Sequence, residues 1–139
     1  MNSEDAVRLA QICQDSFQNR RNYEWKVNFQ LWTIIALWTY LCISNPSIVA
    51  AISPNILLLA YSLILLIYII LWQIPMRKAF ETDKVWKHYY MHLAEGLKKE
   101  RPSESPLSIM KWNQIAYILS QSLFTLFLII ASWVLICFT

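Results

Sequence analysis

The chain has 139 residues and a formal charge of +3; it is 57% hydrophobic and 15% charged, with a single glycine. A soluble domain averages roughly 45–50% apolar and ~25% charged residues, so this is the composition of one membrane domain. The lone Gly96 excludes a dinucleotide-binding turn, a phosphate-cradling loop and a GxxxG helix-packing motif.

Residues 1–26 open with Ser3, Glu4 and Asp5, a cap followed by an acidic first turn, and place Ala6, Leu9, Ala10, Cys13 and Phe17 on one helical face. A cytoplasmic helix is expected; nothing obliges it to stop before the first span, since the first proline is Pro46, so either one helix of ~40 residues reaching ~60 Å or a break at Asn19–Asn22 is open. We read it as a stalk for self-association. No charge occurs in 27–44, 56–76 or 112–139. Each run approaches or exceeds the ~20 residues a helix needs to cross a bilayer, and lipid leaves an unpaired backbone no other economical form. The expected fold is therefore an all-α integral membrane protein with three transmembrane helices.

The 45–55 connection holds Pro46 and Pro54 and is expected to form a turn, with Ser53 and Pro54 as cap and first position of span 2. Pro75 is expected to end or kink that span. In 77–111, Trp86, Tyr89, Tyr90, Leu93 and Leu97 share one face of an amphipathic helix, flanked by Lys84 and Lys87, up to a break at Arg101 and Pro102. This face suits either the lipid interface or a partner helix, including residues 3–24. Ser105 and Pro106 then cap the approach to span 3.

All twelve basic residues lie before span 1 or between spans 2 and 3. By the positive-inside rule the N-terminus and the 77–111 segment are cytoplasmic and the C-terminus is at the outer face. Trp25, Trp72 and Trp112 sit at the cytoplasmic ends of the spans, where indoles prefer the headgroup level. A bacterial plasma membrane is the expected location.

No catalytic arrangement is found. His88, His92 and Glu95 share a helix face, but the position after the first histidine is Tyr89, where a zinc protease motif has Glu, so no metal or cofactor is expected. Acidic residues dilute the basic aromatic segment, which argues against nucleic acid. Cys42 and Cys137 fall at similar depth near the outer face, leaving free thiols and a bond between them both open. The spans lack ionisable residues of the kind that proton relays and ion-coupled transporters use.

Polar stripes carry the functional expectation. Span 3 aligns Gln114, Gln121, Thr125 and Ser132; span 1 has Gln30, Thr33, Tyr40 and Ser44; span 2 has Asn55, Ser62 and Gln73. Such groups left unpaired in hydrocarbon each cost several kcal/mol, so the stripes meet one another, meet another copy or line water. The expected function is a non-enzymatic homo-oligomer that forms or gates a small pore. The alternative is an anchor or scaffold that holds a cytoplasmic partner or anionic lipid through its basic, aromatic helices.

Overall fold

The computed structural model describes residues 2–98, 101–102 and 112–139, with side chains on the last helix from Ile115 onward. Among these residues the chain is helical, without strands: α1 (Ser3–Ser44), α2 (Pro46–Ala51), α3 (Pro54–Ile67), a π-helical turn (Tyr68–Gln73), α4 (Ile74–Ala94) and α5 (Trp112–Phe138). Three helical stretches are long and apolar enough to cross a membrane, one in α1, one within Pro54–Ala94 and one in α5.

Helix α1 runs unbroken through Asn19–Asn22, the single-helix course of the two left open, and at ~1.5 Å per residue its 42 residues reach ~63 Å. The weak helix formers there cost at most about 0.7 kcal/mol each. Tertiary contacts on the same turns offset this: the Phe17 and Phe80 rings lie 5.1 Å apart, and Arg20 Nε pairs with Asp83 at 2.8 Å. Further along, Lys87 Nζ donates to Gln14 at 2.6 Å, so the N-terminal half of α1 and α4 form an antiparallel hairpin. Ala6 and Ala10 are buried, their small side chains allowing close approach of the backbones. On the aromatic face of α4, Trp86, Tyr89, Tyr90 and Leu93 are half-buried and Leu97 is exposed.

The 45–55 connection is more ordered than a turn, since Pro46 starts the short helix α2. Ile48, Val49 and Ile52 pack on a core of Ile35, Cys42, Leu57, Tyr61, Ile129 and Ile136, and that anchorage makes a helical turn worthwhile. Ser53 and Pro54 take the expected cap and first-turn positions of α3.

Helix α4 stops at Ala94, earlier than the Arg101–Pro102 break expected. Gly96 adopts φ +76°, its N–H bonds to Leu93 O and the Leu97 N–H reaches His92 O, a Schellman termination. Its lack of a Cβ, which makes the left-handed conformation inexpensive, ends the helix before proline can. The cap expected at Ser105 and Pro106 lies outside the described residues.

Pro75 does not end span 2; it sits in the first turn of α4, and the helix before it is distorted into the π turn. Proline lacks the N–H that would bond to Leu71 O, and its ring crowds that carbonyl. Widening the preceding turn to i→i+5 bonds accommodates both effects. The widening also rotates side chains, and that rotation builds the site described next.

Candidate functional site: two polar clamps between the spans

Residues five apart on an α-helix differ by about 140° around its axis. Through the π turn, Tyr68 and Gln73 share one face, and Gln73 Nε2 donates to the Tyr68 hydroxyl at 2.6 Å. The second Gln73 Nε2 proton goes to Gln121 Oε1 on α5, also at 2.6 Å. Tyr68 donates to Asn28 Oδ1 on α1 at 2.6 Å, and Asn28 Nδ2 closes the ring on Gln121 Oε1 at 3.1 Å. In this four-residue ring Gln73 donates twice and Gln121 Oε1 accepts twice, with Tyr68 and Asn28 each accepting and donating once, and each of the three spans supplies a group. Asn28 and Gln73 are wholly inaccessible.

A second clamp lies eleven residues further along both α1 and α5. Thr39 Oγ1 donates to Ile35 O at 2.7 Å, Ser132 Oγ lies 2.6 Å from Thr39 Oγ1, and Tyr61 OH lies 2.6 Å from Ser132 Oγ. Each hydroxyl has one proton, which sets the order as Tyr61 to Ser132 to Thr39 to the backbone. Again all three spans contribute. At ~1.5 Å per residue the clamps stand ~16 Å apart along the helices. Between them Trp32 Nε1 donates to Thr125 Oγ1 at 3.1 Å, and Thr125 donates to Gln121 O at 3.0 Å.

The basic end is closed by an ion pair. Arg77, the residue that follows span 2, donates through Nη2 to Glu24 Oε1 on α1; both side chains are buried. The Arg77 guanidinium also lies over the rings of Tyr117 at 4.3 Å and Phe80 at 4.9 Å. Burial pulls its pKa below the ordinary arginine range, with Tyr117 opposing and the nearby Arg21 charge adding to the shift. A buried pair of this kind fixes the register of two helices more than it adds stability.

Among the polar residues singled out from sequence, Gln73, Gln121, Thr125 and Ser132 are brought together in the interior. Gln30, Thr33, Tyr40 and Ser44 are exposed on α1, as are Asn55 and Ser62 on α3, where Ser62 Oγ bonds locally to Leu58 O at 2.9 Å. The Gln114 side chain lies outside those described. Asn28, Thr39, Tyr61 and Tyr68 belong to the clamps and were missed. A signal existed for two of them: the Asn28 to Thr39 spacing of eleven equals that of Gln121 to Ser132.

On the hairpin, Trp86, Tyr89 and Tyr90 form a ring cluster with centroids 5.4 to 5.7 Å apart; Lys84 is exposed, while Lys87 is engaged by Gln14. Cys42 and Cys137 are free thiols that line the same cavity of about 510 Å³ at the opposite end of the spans. His92 Nδ1 lies 3.9 Å from Glu95 Oε2 and His88 is exposed; no metal-holding group of three is found among the described residues.

Comparison of the chain with protein-family models, with curated proteins and with solved structures finds no match.

Proposed function

We propose that the chain is a non-enzymatic membrane anchor and scaffold, with the α1–α4 hairpin held rigidly in the cytoplasm to engage an acidic partner or anionic lipid. One observation carries this reading: Asn28, Tyr68, Gln73 and Gln121, and likewise Thr39, Tyr61 and Ser132, bond to one another across all three spans within a single copy, which leaves Gln121, Thr125 and Ser132 engaged as glue instead of free to line water. The fold suits the task mechanically. Helix α1 and the α3–π–α4 stretch each continue from the apolar region into the hairpin without a flexible joint, so a load on the hairpin is borne by the spans. The concentration of basic residues at this end supports a cytoplasmic placement, in a bacterial plasma membrane or a membrane of similar patterning.

A second reading, a pore made by several copies, is favoured by one feature. Gln30, Thr33, Tyr40 and Ser44 form a polar line on α1 that faces away from the other two spans. An unpaired amide in hydrocarbon is costly, so this line meets another copy or water. In that reading α1, and not the third span, lines the path.

Ion flux from proteoliposomes separates the two. The anchor reading expects no flux above that of empty vesicles, and Gln121→Leu lowers the resistance of the fold to denaturation. Flux abolished by Gln121→Leu with the fold unaffected would overturn the anchor reading, whereas flux sensitive to Gln30→Leu would support a path along α1.

A further inference from the structure

Where α1 and α4 leave the apolar region, a cavity of about 210 Å³ opens between them and the start of α5. Its walls are partly aromatic: Phe17 and Phe80, in tilted ring contact, form one side, while Trp25 and Tyr117 are in its lining with 42% and 46% of their surfaces exposed. Arg21 and Lys84, both exposed, are also in its lining. Arg77 lies at the wall, 94% buried, and its Nε–H has no acceptor.

The charges in this lining do not cancel. Three cations, Arg21, Arg77 and Lys84, face two carboxylates, Glu24 and Glu81, and Glu24 is committed to Arg77. One positive charge is left over, the complement of one phosphodiester monoanion. The buried Arg77 Nε–H is a guanidinium donor left without a partner, so an acceptor here is stabilising. Guanidinium groups match phosphate oxygens in geometry as well as in charge. Cations beside amphipathic aromatics, at the depth where the spans end, are also the arrangement expected at the headgroup level of a leaflet.

We propose that this cavity binds a phosphate group, that of an anionic phospholipid in the leaflet at the basic end of the spans. Arg21 and Lys84 hold the phosphate oxygens, Arg77 turns its unpaired N–H toward them, and Trp25 and Tyr117 flank the glycerol region. The site rests on the reading of the chain as membrane-embedded and names the residues for the lipid arm of the proposed function. It is separate from the Trp86, Tyr89 and Tyr90 cluster, which lies farther along the hairpin. A headgroup seated between α1, α4 and α5 would couple hairpin docking to the lipid composition of the membrane.

The test uses the full chain and the double variant Arg21→Ala/Lys84→Ala, whose two side chains make no contact with either clamp. Vesicles of phosphatidylcholine alone, or with added phosphatidylglycerol, are used for reconstitution, and lipid retained on the detergent-extracted protein is measured by native mass spectrometry. The expected result is retention of phosphatidylglycerol over phosphatidylcholine by the wild type, falling about tenfold or more in the variant on loss of two of the three cations. Inorganic phosphate is titrated in parallel: displacement of the retained lipid would mark the phosphate alone as the recognised group, and absence of displacement would mark the whole lipid. Equal retention of both lipids, or a variant that keeps the wild-type preference, would overturn the site while leaving the anchor reading standing. Failure of the wild type to float with either vesicle would overturn the membrane reading, and the site with it.

Discussion

Replacing Gln121 with leucine keeps side-chain bulk but removes the acceptor on which two of the spans converge. Two bonds disappear, from Gln73 Nε2 at 2.6 Å and from Asn28 Nδ2 at 3.1 Å. Interhelical hydrogen bonds in membranes average ~0.6 kcal/mol and reach ~1.7 kcal/mol. Gln73 keeps its bond to Tyr68, but the Asn28 amide is wholly inaccessible and loses its acceptor on α5, and a stranded buried donor costs about 1–3 kcal/mol. The expected loss is therefore about 2 kcal/mol, measured by denaturation in mixed micelles with Ser62→Ala as the control. Ser62 is exposed and bonds only to its own helix, so its removal should be close to neutral. Gln73→Leu combined with Gln121→Leu should cost less than the two separately, by about 1 kcal/mol, because each single change strands a partner that the other removes. A Gln121→Leu loss below about 0.5 kcal/mol, or strict additivity of the pair, would refute the ring as the joint between the spans.

The remaining predictions concern the basic end. Arg77→Met leaves the Glu24 carboxylate buried and unpaired and should cost about 3–5 kcal/mol, and Glu24→Gln added to it should recover much of the loss; a double variant no better than the single one would contradict the pairing. Burial, and secondarily the Asp83 charge, raise the Cys13 thiol above its ordinary pKa, which keeps it protonated to higher pH than a free cysteine. Its alkylation should therefore gain rate only at more alkaline pH, and Asp83→Asn should shift the profile toward lower pH. An unshifted or opposite profile would show that the Asp83 charge does not reach the thiol.

Much of the architecture is legible in the residues, for reasons that differ by element. The spans are marked by the absence of charge, and Ser53–Pro54 by local backbone chemistry, both of which are independent of the rest of the fold. The termination at Gly96 was also readable, since a glycine four residues beyond His92, at the end of a helical pattern, is a standing C-cap signal. The interior face of α1 was harder to read. Its buried row of Glu24, Asn28, Ile35, Thr39 and Cys42 mixes polar and apolar residues, while Gln30, Thr33, Tyr40 and Ser44 form a cleaner polar row on another face. Helical spacing alone does not decide which row turns inward; that is set by packing against the other spans. Tyr61 and Tyr68 escaped notice because neither falls on the helical row of Asn55, Ser62 and Gln73, and a tyrosine hydroxyl matters only once partners on other helices are in place. The Gln73 to Tyr68 bond depends on a π turn whose cause, Pro75, was visible but whose effect on side-chain direction was not. The pairing of Glu24 with Arg77 joins residues 53 apart in sequence, for which no local pattern exists.

The account stands on the interior polar groups of the spans being bonded to one another and shut away from water. Thr125, wholly inaccessible between α1 and α5, is the position to probe. In a background with Cys13, Cys42 and Cys137 replaced by serine, Thr125→Cys in proteoliposomes is exposed to a membrane-impermeant, water-soluble thiol reagent, with Thr33→Cys on the outer face of α1 in parallel. The account predicts that Thr125→Cys stays unmodified from either side of the membrane while the protein remains folded. Rapid modification there would mean that water reaches the centre of the span bundle, and would contradict the assignment of the clamps as closed joints.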